Sequence, residues 1–190
     1  MANVLIVYAT KEGQTAKIAR HIAQTLTAAG HESELFDADH PTLRVDLGRF
    51  QFAIVGAPIH AGGYPRSVAR FVKKNRAFLE RVPSAFFSVG LAVASNTSDG
   101  RAQTLPLVGK FAEETGWYPQ RVELFAGALL YTQYNPLIRL VMRHIAAKEG
   151  GDTDTSRDYE YTDFAAVERF AGEFVGQSSA KAVASASAGR

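Results

Sequence analysis

Val4-Leu5-Ile6-Val7-Tyr8 restricts this chain more than any other stretch, because an unbroken apolar, β-branched run is a strand covered on both faces, as in the middle of a parallel sheet. A short polar loop, Thr10-Lys11-Glu12-Gly13-Gln14-Thr15, follows it directly. Ile18, Ile22 and Leu26 then recur every four residues with Ala19 and Ala23 between them, which gives one apolar face of a helix that stops near Gly30. A strand that runs through a glycine and hydroxyl residues straight into a helix presents unpaired backbone N–H groups, backed by the helix dipole, beyond the strand's end. Such a corner binds anions, and phosphate is the expected occupant.

The rest of the chain repeats the alternation. Residues 32–36 alternate and suit a strand near a sheet edge, Pro41, Leu43, Val45 and Leu47 suggest a short helix, and Phe52-Ala53-Ile54-Val55-Gly56 is another buried strand. A helix opening at Pro65 carries Val68, Phe71, Val72, Phe78 and Leu79 at helical spacing and ends by Pro83. Ala85-Phe86-Phe87-Ser88-Val89 is a fourth strand, followed by residues 90–94 and a polar stretch to Gln103. Leu107, Val108, Phe111 and Ala112 mark the next helix, and residues 122–130 form the last long apolar run. Asp163 can cap a final helix that faces inward through Phe164, Val167, Phe170, Ala171 and Phe174. Five strands alternating with helices imply an α/β, doubly wound parallel sheet with right-handed crossovers and helices on both faces. Residues 131–162 interrupt the alternation before the last helix and are too long for an ordinary connection, so they are expected to be functional. Residues 178–190, rich in Ala and Ser, are expected to form a disordered tail, which leaves 1–177 as one domain.

Composition narrows the function classes. At 190 residues one domain is the default, and 46% hydrophobic residues with 12 Phe suffice for its core. Without cysteine the chain has no disulfide, thiolate metal site or thiol nucleophile, and no other metal site is read. A net charge of +2, with no basic cluster interleaved with stacking aromatics, argues against nucleic acid. Arg66, Arg70, Lys73, Lys74, Arg76 and Arg81 crowd one helix and read as a solvated face. The N-terminal apolar run is better used as a strand than as a signal or spanning segment, which leads to the expectation of a cytoplasmic body.

Doubly wound sheets bind ligands beyond the carboxyl ends of their strands, so residues 10–15, 58–64 and 90–96 should converge. The first loop lacks the Gly-Lys-Ser/Thr of a Walker loop and holds one glycine where the dinucleotide fingerprint has three. A single monophosphate fits it better, held by the hydroxyls of Thr10 and Thr15 and the N–H groups of residues 11–15. Thr-x-x-Gly-x-Thr after the first strand, with later loops of this length, resembles the FMN site of flavodoxin-fold proteins. A closer resemblance is to the flavodoxin-like, menaquinone-dependent protoporphyrinogen IX dehydrogenases of haem synthesis. It rests on Lys11 to Thr15, on Phe71-Val72-Lys73-Lys74, on Pro83-Ser84-Ala85-Phe86, on Ala126-Gly127-Ala128-Leu129 with Tyr131 beyond, and on Gly150-Gly151-Asp152-Thr153-Asp154-Thr155 leading to Tyr161-Thr162-Asp163.

That resemblance implies a five-stranded sheet in the order 2-1-3-4-5 with a helical insert before the last helix. It also implies FMN as cofactor and oxidation of protoporphyrinogen IX to protoporphyrin IX with a membrane quinone, menaquinone or ubiquinone, as acceptor. The cofactor would be held by Thr10, Lys11, Glu12, Gly13, Gln14 and Thr15, by Ala57, Pro58, Ile59 and His60, by Ser88, Val89, Gly90 and Leu91, and by Asp154. Asp152 and Asp154 serve equally as turn caps and Gly62-Gly63 equally as a plain turn, while His60 is more often a plain loop residue than an acid or base. No aromatic stands between Gly90 and Gln103, so one face of the flavin ring is expected to be open to a substrate. No side chain is assigned a catalytic proton transfer, with His60, Tyr131 and Tyr134 as the candidates.

Residues 136–149 should form a helix with Leu137, Ile138, Leu140, Val141, Met142 and Ile145 apolar and Arg139 and Arg143 one turn apart. It either packs its stripe on the sheet edge, or lies at the inner membrane surface, or turns the two arginines to porphyrinogen propionates. A homo-oligomer is compatible with the sequence. Three alternatives stand beside this assignment: a flavodoxin-type electron carrier, disfavoured by the slightly basic charge, an NAD(P)H:quinone reductase of the same fold, and a doubly wound domain without flavin.

Overall fold

The protein is described by a computed structural model covering residues 1–40, 45–94, 99–148 and 151–188. Strand β1 (Asn3–Tyr8) leads through residues 9–13 into helix α1 (Gln14–Ala28), and β2 (Glu32–Asp37) pairs in parallel with β1. Strand β3 (Phe52–Pro58) pairs on the other side of β1, followed by α2 (Arg66–Lys74), α3 (Arg76–Arg81), β4 (Ser84–Gly90), α4 (Asp99–Thr115) and β5 (Arg121–Ala126). All pairings in this sheet are parallel and the strand order is β2-β1-β3-β4-β5. β2 is an edge strand, in keeping with its alternating sequence.

Alternate residues of β1 feed two separate cores, which is why the run is apolar throughout. Leu5 and Val7 join Val55, Val72, Phe86, Phe111 and Trp117 on the α2/α4 face, while Val4 and Ile6 join Ile22, Phe87, Phe125 and Phe170 on the α1/α6 face. The last helix, α6 (Phe164–Ala188), packs on α1 through Val167, Phe170 and Phe174. It continues to Ala188, past residue 178 where the sequence suggested that order ends.

Four other features depart from expectation. The helix opening at Pro65 divides at Asn75, whose side-chain amide donates to the Phe71 carbonyl at 2.9 Å and whose backbone N–H turns to Phe71 and Val72. α4 begins at Asp99, well inside the polar stretch, because its inward residues there are Gly100 and Thr104, which carry no apolar signal. Among the described residues of the β2–β3 connection only the turn Leu47–Arg49 is helical, and Pro41 and Leu43 lie outside the described residues. The apolar run 122–130 breaks at Gly127, whose N–H donates to the Gly90 carbonyl at 3.2 Å while its own carbonyl accepts from the Tyr161 N–H at 3.1 Å.

Beyond that break the insert is a small lobe. Strand β6 (Ala128–Leu129) pairs antiparallel with β7 (Tyr159–Glu160), and α5 (Pro136–Lys148) lies between them in sequence. Leu129, Tyr131, Tyr134 and Ala146 make its core. Among the described residues no helix is long and apolar enough to cross a membrane.

Candidate cofactor site and the cleft beside it

The turn between β1 and α1 is built for an anion. Gly13 occupies the N-cap position at φ 90°, a left-handed conformation that a side chain would oppose, and no side chain caps the helix. The N–H groups of Gln14, Thr15 and Ala16 therefore have no helical acceptor, and no acidic residue stands in the first turn. A Cβ on Gly13 would meet nothing within 4 Å, so the corner is open to a ligand. Thr10 holds the loop's shape by accepting from the Gly13 N–H at 3.0 Å, and Thr15 is buried beneath it. Lys11 and Glu12 are exposed. Burial raises the Tyr134 phenol above its ordinary pKa, against a hydrogen bond from Leu130, and the Glu12 charge adds to the rise.

The insert reaches this corner directly. Gln14 Nε2 donates to Glu160 Oε1 and to Thr162 Oγ1, both at 2.8 Å, and Lys17 Nζ meets Glu160 at 2.7 Å. Thr162 Oγ1 in turn donates to the Ala126 carbonyl at 2.7 Å. Gln14 thus contributes its side chain to the lobe and its backbone N–H to the anion corner. Nothing in the sequence marks this long-range contact.

The second and third loops are tied to each other. Ile59 N–H donates to the Val89 carbonyl at 2.8 Å, and His60 and Gly63 bond mutually across a tight turn that holds Ala61 at φ 48° and Gly62 at φ 75°. Gly62 serves that turn. A Cβ on Gly90 would lie 3.0 Å from Ile59 Cδ1, so the tips of β3 and β4 meet closely. Ala57 is fully buried within β3, and Leu91 opens the short helical turn Leu91–Ala94. Ser88 is fully buried, and its Oγ accepts from the Tyr64 hydroxyl at 2.9 Å, so its side chain faces the α2/α4 core and not the loop tips. Tyr64 packs edge-on against Phe86 and Phe111. Burial, opposed by the Ser88 bond, pushes its phenol up to about 12. The one Phe, Tyr or Trp of the second loop is therefore turned inward, and among the described residues of the third loop, 90–94, there is none.

The structure redistributes the remaining candidates. Asp154 is exposed and accepts from the N–H and hydroxyl of Ser156 at 3.0 and 2.7 Å, which is the turn-cap role and holds its carboxyl below the usual range. Tyr131 and Tyr134 lie in the insert's own core, with the Tyr131 hydroxyl donating to the Asp152 carbonyl at 2.7 Å, and are not surface groups facing a substrate. Arg139 donates to the carbonyls of Tyr131 and Tyr134 at 2.9 and 3.1 Å and so closes the turn before α5. Arg143 is exposed. α5 does not pack its stripe on the sheet edge: Leu137 and Leu140 are 72% and 63% exposed, Ile138, Val141 and Ile145 are exposed as well, and Met142 and Ala146 make the contact with the lobe.

Beside the anion corner, on the β2 side, lies a cleft of about 1130 Å³. Thr10, Lys11, Pro58 and His60 of the cofactor loops line it together with Arg66, Arg70 and Lys74 of α2. The basic residues were visible in the sequence, but only their position separates these three from Lys73, which pairs with Glu114, and Arg76, which pairs with Glu80.

An uncapped helix start behind one glycine, at the topological switch of a sheet wound 2-1-3-4-5, defines a flavodoxin-like, flavin-binding domain. The chain belongs to the flavodoxin-domain family, whose model matches residues 5–156, and within it to the protoporphyrinogen IX dehydrogenase [quinone] proteins. It is 34% identical over 169 residues to the protein of that name from Escherichia coli strain K12, covering 89% of this chain and 92% of that one. It is likewise 34% identical over 181 residues to the one from Leishmania major, covering 90% of this chain and 73% of that protein. Among solved structures, oxidised flavodoxin 1 from Bacillus cereus is 15% identical with a TM-score of 0.51, covering 92% of this chain and 98% of its own. A short-chain flavodoxin associated with a non-canonical PDU bacterial microcompartment is 14% identical with a TM-score of 0.53, covering 94% and 99%. These two show the fold.

Proposed function

We propose that this protein binds FMN and oxidises protoporphyrinogen IX to protoporphyrin IX with a membrane quinone as electron acceptor. The observation that carries the proposal is the match to relatives named for that activity over about nine-tenths of the chain, a span too long to leave the insert out. FMN is favoured over a dinucleotide by the first loop, with one glycine and one uncapped helix start.

When bound, FMN supplies the two-electron redox chemistry that no side chain of the protein can. The chain's own part is placement. The N–H groups of Gln14, Thr15 and Ala16 would hold the phosphate, with the Thr10 and Thr15 hydroxyls beside them. The inward turn of Tyr64 and the lack of an aromatic in residues 90–94 leave the ring site uncovered, as a substrate needs and a stacked carrier site does not. The Tyr131 and Tyr134 phenols, with pKa values raised chiefly by burial, hold their protons as structural groups. A quinone partitions into lipid, and the exposed apolar side of α5 suits insertion at the bilayer interface. That exposed apolar side supports reading the protein as a peripheral component at the inner face of the cell membrane.

Anaerobic incubation with protoporphyrinogen IX and a soluble menaquinone analogue tests the activity. Porphyrin fluorescence should rise only when flavin and acceptor are both present. An acceptor-independent signal, or none, would remove the proposal and leave the family assignment.

A further inference from the structure

The sequence read the cations of α2 as a solvated face, yet their arrangement is unlike that of an ordinary surface helix. Arg66, Arg70 and Lys74 recur every four residues, so successive charges stand about 6 Å apart along one side of α2. Like charges at this spacing repel. Among the described residues none of the three has a recorded hydrogen-bond or ion-pair partner, whereas Lys73 and Arg76 have Glu114 and Glu80. Arg66 also sits in the first turn, where the helix dipole opposes a cation, behind a Pro65 that offers no side-chain cap. Ser67, in the same turn, has a buried hydroxyl with no partner and lines the same cleft. Lys11 adds a further cation to the lining, and Asp39 is the carboxylate in it.

Local rules are broken here in one consistent sense. A run of unpaired cations, an uncapped helix start and an unsatisfied hydroxyl all become favourable when an anion with several acceptor oxygens enters the cleft. A phosphate alone would leave most of a space of about 1130 Å³ unfilled. The cleft exceeds the usual size of a small-ligand site, and it shares Thr10, Lys11, Pro58 and His60 with the cofactor loops, which sets its ligand beside the flavin. A large ligand carrying carboxylates along one edge suits both the volume and the spacing of the charges.

We propose that the cleft between α2 and the anion loop is the tetrapyrrole site, with Arg66 and Arg70 binding the two propionate carboxylates and Lys74 and Ser67 completing the anionic end. This rests on the dehydrogenase assignment. It relocates propionate recognition from Arg139, whose guanidinium is already engaged by the carbonyls of Tyr131 and Tyr134, to a helix not in the insert. The carboxylates fix the macrocycle's orientation and leave its opposite edge toward Pro58 and His60.

Protoporphyrin IX, the fluorescent product, and its dimethyl ester serve as probes, titrated into the FMN-loaded full chain in dilute detergent. The wild type should bind the diacid at least tenfold more tightly than the ester. R66A/R70A should lose at least tenfold on the diacid and little on the ester, with flavin content and melting temperature unchanged. K73A, which removes one positive charge from the same helix outside the cleft, should leave both affinities as they were. Equal diacid binding by R66A/R70A and wild type, or an equal loss in K73A, would overturn the carboxylate site while leaving the dehydrogenase assignment standing. A wild type that binds neither porphyrin would likewise overturn the site, while the dehydrogenase assignment stands or falls on the anaerobic turnover assay. Should R66A/R70A fail to load flavin, R66Q/R70Q keeps the hydrogen-bonding surface and is read against the same limits.

Discussion

Lys17 of α1 and Glu160 of β7 meet at 2.7 Å, 143 residues apart in sequence, and Gln14 donates to the same carboxylate. The helix that opens the anion corner and the lobe that follows the sheet are thereby joined through one acidic side chain. Exposed ion pairs contribute little to global stability, so its effect is local: it sets where the lobe lies.

The Glu160 contact should be acid-sensitive. Burial pushes this carboxyl up, but hydrogen bonds from Lys17 and Gln14 outweigh it and hold the pKa below the usual value. A depressed folded-state pKa contributes fully above the unfolded value of about 4.3 and is lost as pH falls through the folded one. Protection of the Tyr161 amide, corrected for intrinsic exchange, should therefore fall below about pH 4 in the wild type. In Glu160→Gln it should be lower from the start and much less pH-dependent.

Thr15→Val should weaken FMN binding ten- to a hundredfold by flavin fluorescence titration. Removing one hydrogen bond to a charged group costs about 1.5–3 kcal/mol. Valine keeps the buried shape of Thr15, so the melting temperature without flavin should change little.

Membrane contact by α5 should depend on the residues that face away from the lobe. Leu137→Glu with Leu140→Glu should abolish co-sedimentation with anionic lipid vesicles while leaving FMN affinity and circular dichroism unchanged, because both side chains are exposed. Turnover with a water-soluble quinone should survive in this variant, and turnover with a long-chain quinone in vesicles should fall.

Tyr64→Phe should cost roughly 1 kcal/mol in denaturant unfolding at neutral pH, since it leaves the buried Ser88 hydroxyl without its donor. The phenol, pushed up to about 12 by burial against a bond to Ser88 that lowers it, keeps its stabilising proton below the unfolded value near 10. Stability is lost as pH rises from the unfolded value through the folded one. The alkaline limb of wild-type stability should thus be steeper than that of Tyr64→Phe.

Gly56→Ala should be among the most damaging single substitutions. Its Cβ would stand 2.0 Å from the Phe87 ring, a fully buried side chain in the neighbouring strand. Overpacking costs about 1–3 kcal/mol or more, read as a lowered denaturation midpoint, and Phe87→Leu in the same chain should recover part of it.

The sheet was legible because its central strands serve two cores: Val4 and Ile6 face one helical layer, Leu5 and Val7 the other, and the run has to be apolar throughout. The anion corner was legible because Thr10, Gly13 and Thr15 act within one turn. What escaped depended on distant partners or on residues that carry no pattern. Gly100 and Thr104 face inward without an apolar signal, so the start of α4 looked like loop. The break at Gly127 is set by Gly90 and Tyr161, which periodicity cannot see. Spacing gave α5 an apolar side but not its neighbour, and Arg139 looked like a surface cation until the carbonyls of Tyr131 and Tyr134 were found beneath it.

Gly127 sits at the seam between the two sheets with both of its backbone groups engaged, one with the central sheet and one with the lobe. The carbonyl just before it receives the Thr162 hydroxyl, so the lobe is fastened at two consecutive residues. A lobe that swings outward must release Tyr161 and Thr162 together. Its departure is then a cooperative event, one latch opening as a unit, and slow exchange at the Tyr161 amide would time it.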